Sequence, residues 1–159
     1  MTEQDPDRRL FLRGGRPTPI RPPWAIPEQD FLTRCTRCGT CIPLCPQGIL
    51  QGDLLGYPVV DFTRGGCTFC GVCRDSCLPQ ALIARLHTPA WAYKAIIDSS
   101  CLNNRGIPCR VCGEHCDTDA IVFRPASRCS MLPELIHDRC NGCGACISPC
   151  PTQAIRMNS

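Results

Sequence analysis

Residues Cys35-Thr36-Arg37-Cys38-Gly39-Thr40-Cys41-Ile42-Pro43-Leu44-Cys45-Pro46 carry the spacing C-x2-C-x2-C-x3-C-P. That spacing is a ligand set for a [4Fe-4S] cluster. Two residues between neighbouring thiols let one tight loop wrap a face of the cube, with Gly39 permitting close backbone approach. The fourth cysteine lies beyond the reach of that loop, and in two-cluster proteins it ligates the partner cluster. One such stretch therefore implies a second.

Three more groups follow. Cys67, Cys70, Cys73 and Cys77 repeat the cysteine spacing, with Leu78 in place of proline and Pro79 one residue later. Cys140, Cys143, Cys146 and Cys150 repeat it in full with Pro151. The remaining group, Cys101, Cys109, Cys112 and Cys116, is irregular: seven residues separate its first two cysteines and Asp117 stands where proline is expected. Asn103-Asn104-Arg105-Gly106 reads as an inserted loop, which can still deliver a thiolate because closure entropy grows only logarithmically with length. The alternative there is zinc or a labile cluster on Cys109, Cys112 and Cys116, with His115 as a substitute ligand; a solvated His115 is the plainer expectation.

Aligned on their second cysteines, the groups are 32, 39 and 34 residues apart, a self-similarity that marks repeated units. Apolar pairs stand at the fourth and fifth positions after each fourth cysteine: Ile49-Leu50, Ala81-Leu82, Ala120-Ile121 and Ala154-Ile155. Val59-Val60-Asp61, Ile96-Ile97-Asp98 and Leu135-Ile136 with Asp138 precede three of the groups, and an aspartate there can accept backbone amides in the turn entering the loop. The first group lacks a clear leading strand. The expected fold is α+β: two tandem ferredoxin-like modules, residues 31–88 and 89–159, each with short strands and helices packed on two clusters. Exchanging fourth cysteines gives site one as Cys35, Cys38, Cys41 and Cys77, and site two as Cys67, Cys70, Cys73 and Cys45. Site three takes Cys101, Cys109, Cys112 and Cys150, and site four Cys140, Cys143, Cys146 and Cys116. Four clusters are favoured, three being the count if the third group fails.

Composition supports inorganic staples. The chain has 159 residues, and its 43% apolar fraction includes 17 cysteines, which leaves little for a large core. Packed C-x2-C groups suit metal better than disulfides, and no secretory or membrane-spanning apolar run is expected. The formal charge of +3 assumes neutral thiols; four oxidised clusters with their thiolates at about −2 each would bring it to about −5, which removes the electrostatic basis for nucleic-acid binding. Cys129 has no group and reads as a free thiol; His87 and His137 read as structural. No phosphate loop, nucleophile elbow or dinucleotide fingerprint is present, so no catalysis beyond one-electron chemistry is expected.

Residues 1–30 read as an extended basic arm. Arg8, Arg9, Arg13, Arg16 and Arg21 combine with Pro17, Pro19, Pro22, Pro23 and Pro27, which oppose a long helix or a central strand. Arg8-Arg9-Leu10-Phe11-Leu12 is similar to a twin-arginine export signal, but Gly14-Gly15-Arg16-Pro17 occupies the place of its hydrophobic segment, so no such signal is expected. Trp24 reads as a packing anchor.

Several stretches narrow the match beyond the cysteines. Ile20-Arg21-Pro22-Pro23-Trp24, Phe31-Leu32-Thr33-Arg34, Gly56-Tyr57-Pro58, Cys109-Arg110 through Cys116, and Ile121-Val122-Phe123-Arg124-Pro125 resemble the NapF family of ferredoxin-type proteins over nearly the whole chain. The resemblance implies that the irregular third group is a family feature. It further implies a cytoplasmic, non-enzymatic iron-sulfur protein that binds the precursor of the periplasmic nitrate reductase catalytic subunit and assists its maturation before export. The competing expectations are a polyferredoxin passing electrons from a quinol or ferredoxin donor to a redox partner, and a zinc-stapled interaction module.

Overall fold

The computed structural model describes residues 19–127 and 130–158. Most of the arm, including the twin-arginine-like stretch, and Cys129 lie outside them.

Regular structure is sparse, as a chain organised by short cysteine loops requires. Helix α1 (Glu28–Arg34) is followed by strands β1 (Leu50–Gly52) and β2 (Pro58–Val60), helix α2 (Val72–Asp75) and strand β3 (Lys94–Ile97). Helix α3 (Val111–Glu114) then leads to β4 (Ile121–Ser127), β5 (Ser130–Leu135) and β6 (Ile155–Asn158). All strand pairs are antiparallel: β1 with β2, β4 with β5, and β3 with β6. No helix among the described residues is long and apolar enough to cross a membrane.

The two halves repeat one plan. In the carboxy-terminal half, the hairpin β4–β5 links the third and fourth cysteine groups, while β3 pairs with β6. In the amino-terminal half, the hairpin β1–β2 links the first and second groups, and the outer pair shrinks to one bridge, Ala25 to Leu82. Two further bonds extend it: Ile26 N–H to the Ala81 carbonyl, and Ile83 N–H to the Trp24 carbonyl. The first group thus has its leading extended segment at residues 25–26, displaced by the insertion of α1, which hides it from sequence spacing.

This corrects the reading of residues 1–30 as an arm, as far as they are described. Pro22 is fully buried and Arg21 is only 9% exposed. The Arg21 guanidinium bonds Glu28 at 2.9 Å and Asp53 at 3.2 Å, lies 5.1 Å from the Phe31 ring centroid and 5.4 Å from that of Tyr57, and donates to the Pro58 carbonyl. Burial opposes its charge, but the two carboxylates outweigh this and raise its pKa. Trp24 does anchor the segment, edge-on to Phe69 and beneath the Arg74 guanidinium.

The apolar pairs after the fourth cysteines form the heart of both cores: all eight residues are at most 6% exposed. A shared backbone device aims them inward. Three residues after each fourth cysteine the chain turns left-handed, at Gly48, Gln80, Asp119 and Gln153, and each of these amides donates to the carbonyl of its cysteine. Only Gly48 is a residue that announces such a turn, so sequence reading missed it in the other three groups.

Candidate iron-sulfur sites

The sixteen grouped cysteines are all free thiols. Cys35, Cys38, Cys41 and Cys77 line one cavity, walled by Phe31, Pro58, Ala81 and Leu82. Cys101, Cys109, Cys112 and Cys150 line a second, against Ile97 and Ile155. Cys116, Cys140, Cys143 and Cys146 line a third, against Ala95, Ile121 and Leu135. Of the remaining four, Cys67 lies close enough to Cys45 and Cys70, and Cys73 to Cys67 and Cys70, for their charges to be felt. In each set the fourth cysteine comes from the other loop of its half.

Local structure delivers each thiol. In the first, second and fourth groups the backbone is left-handed just before the second cysteine, at Arg37, Phe69 and Gly142. Asp61 accepts the Thr63 amide and Asp98 the Ser100 amide in the turns that enter the second and third groups. The third group uses a different device. Residues 102–105 form a 3-10 turn, and buried Asn103 clamps Cys109 by donating from Nδ2 to its carbonyl (2.6 Å) while Oδ1 accepts its amide (3.2 Å). The inserted loop is therefore a closed unit that returns Cys109 to Cys101. Asn103→Ala would leave both backbone groups of Cys109 unpaired, a loss of about 2 kcal/mol. We expect iron to fall by about four atoms per chain, measured by anaerobic iron and sulfide analysis.

Electrostatics show what the thiols demand. Burial pushes the Cys41 thiol up to about 11, with repulsion from Cys35, Cys77 and Cys38 adding to it. Burial likewise pushes Cys67 and Cys112 to about 11, and Cys73 and Cys146 to about 12. Such thiols ionise at neutral pH only when a cation compensates them, as the iron of a bound cluster would. Sulfur also accepts backbone amides: Phe69 N–H to Cys67 Sγ (3.3 Å), Ala120 N–H to Cys116 Sγ (3.2 Å) and Ala154 N–H to Cys150 Sγ (3.3 Å). With a cluster bound, these bonds would favour its more negatively charged, reduced state.

A single zinc ion fits poorly. Zn–S bonds of about 2.3 Å hold thiolates about 4 Å apart, whereas among the described residues no three His, Cys, Asp or Glu side chains converge closely enough to hold one ion. His115 is exposed with Nδ1 against the Val111 carbonyl, although it borders the cavity of Cys116. His87 and His137 are exposed. Cavities lined by four cysteines and apolar walls suit a [4Fe-4S] cluster.

Comparison with known proteins agrees with this chemistry. A 4Fe-4S dicluster domain matches residues 34–83, and a 4Fe-4S binding domain matches residues 133–156. The ferredoxin-type protein NapF of Escherichia coli (strain K12) is 44% identical, the alignment covering 86% of this chain and 82% of the relative. This chain belongs to the NapF family. The NapF of Haemophilus influenzae is 40% identical over 99% of the chain and 97% of its own length. More distantly, the methylamine utilization ferredoxin-type protein MauM of Methylorubrum extorquens is 32% identical over 82% of the chain. As a NapF-family protein with two 4Fe-4S ferredoxin domains, few helices and short strands, the chain carries [4Fe-4S] clusters.

Proposed function

We propose that this protein is a cytoplasmic accessory protein built as two tandem two-cluster modules, which binds the precursor of the periplasmic nitrate reductase catalytic subunit and assists its maturation before export. It is not itself an enzyme. The observation that carries this reading is the NapF match over nearly the whole chain, irregular third group included. The sixteen cysteines in their four crossed sets ligate four [4Fe-4S] clusters; the cavities lined by three of those sets support this reading.

The test is co-purification with the precursor under anaerobic conditions. Deleting residues 1–18, rather than 1–30, spares Arg21 and the bridge at Ala25. We expect that deletion to weaken the complex while iron content stays unchanged; equal binding removes the arm from the mechanism, and no binding by the full chain removes the accessory role. The second reading, an electron carrier between a quinol or ferredoxin donor and a reductase, is favoured by the close succession of sites within each half. It requires at least two clusters to be reduced by a physiological donor and reoxidised by a partner.

A further inference from the structure

The four sites are more than two separate pairs. Cys41 of site one and Cys73 of site two pack in one core, and Cys112 of site three and Cys146 of site four share the other. Between the halves, the loops that touch are those of sites two and four. Cys67 N–H donates to the Cys143 carbonyl at 2.7 Å, the one backbone bond among the described residues between cysteine loops of different halves.

The surroundings of that bond are built for close approach. A Cβ on Gly66 would come within 2.7 Å of the Ala145 backbone. Gly144 has a φ of +75°, and the Phe62 ring occupies the space that its Cβ would need. Trp91 closes the junction: its ring meets Phe62 and Phe69 edge-on, with centroids 5.7 and 5.8 Å away. On its other side the buried indole nitrogen, without a hydrogen-bond partner among the described residues, lies 2.8 Å from where a Gly142 Cβ would be. Phe69 belongs to the site-two loop and Gly142 to the site-four loop, so a single side chain touches both.

We infer that the loops of Cys67 and Cys143, held together by Gly66, Gly144 and Trp91, couple the halves, so that the sites form one row in the order one, two, four, three. Sites one and three are its ends. This rests on the four-cluster reading, under which each site stores one electron. A row ordered this way gives a partner at either end access to all four sites, and Gly66, Gly144 and Trp91 become positioning residues for the crossing.

The test reads magnetic coupling between clusters in dithionite-reduced protein, because dipolar coupling falls with the cube of separation. In Cys38→Ala with Cys109→Ala, sites two and four remain, and the EPR signal is expected to be broadened and fast-relaxing. In Cys70→Ala with Cys143→Ala, sites one and three remain, and the spectrum is expected to be the sum of two narrow signals. Coupling in the second protein, or its absence in the first, overturns the order. Gly66→Val keeps every ligand and is expected to retain full iron while losing the site-two to site-four broadening; full iron with unchanged coupling overturns the junction. Iron analysis of the unmodified chain judges the four-cluster reading separately, since about twelve irons would count against four clusters without bearing on the contact between loops two and four.

Discussion

Replacing Cys77 by alanine is expected to remove the same cluster as replacing Cys38, although the two lie 39 positions apart and Cys77 belongs to the second cysteine group. Both thiols line the cavity of site one. Each variant should lose about four irons relative to the unsubstituted chain and give matching EPR spectra. Cys45→Ala and Cys70→Ala should match each other in turn, with a different cluster gone. If Cys77→Ala instead matches Cys70→Ala, the sites are not crossed. The effect on stability is large because the site is also the core: Phe31, Ala81 and Leu82 wall the same cavity, and a cluster bound only by the folded chain contributes its binding energy to folding.

Arg21→Ala is expected to lower the stability of the amino-terminal half by about 2 kcal/mol, through the lost charge-assisted hydrogen bonds and the lost packing of a buried side chain. Two partners remain behind. Glu28 is partly exposed and water can solvate it, while Asp53 keeps the amides of Leu55 and Tyr57. Arg21→Lys retains the charge but not the planar fork that reaches Glu28, Asp53 and the Pro58 carbonyl together, so it should recover little. Anaerobic denaturant unfolding followed by cluster absorbance measures the change; stability within about 0.5 kcal/mol of the unsubstituted chain, the range of ordinary surface substitutions, would return Arg21 to the surface.

The same site gives a pH dependence. Burial raises the Asp53 pKa, but the amides of Tyr57 and Leu55 and then Arg21 more than offset this, so it ends lower in the folded chain. The unfolded state therefore binds a proton first as pH falls. This contribution is complete above the ordinary carboxylate range, about pH 4, and is lost below it.

Much of the site was legible because cluster ligation is local. Cysteines two residues apart share one loop whatever lies around them, so spacing alone grouped all sixteen and proposed the exchange of fourth cysteines. The apolar pairs were legible for a similar reason, since their distance from a fixed ligand sets the face they present. Arg21 was not. Among several arginines and prolines it looked like part of a solvated arm, and its carboxylate partners are seven and 32 residues away. Asn103 sat in what read only as an inserted loop, because the sequence gives no sign of which backbone an amide side chain will clamp.

The sequence by itself determined the chemistry: packed C-x2-C groups, three regular and one irregular, that suit [4Fe-4S] clusters better than disulfides, with family stretches scattered between them. Only the tertiary structure decided what those stretches are for. Arg21, Phe31 and Tyr57 come from three separate stretches and stack into one cluster beside site one. It also decided which sites are neighbours, bringing Cys67 to Cys143 across 76 positions of chain. Ligand spacing is a property of adjacent residues, whereas burial of a charge and contact between loops depend on what the rest of the chain packs against them.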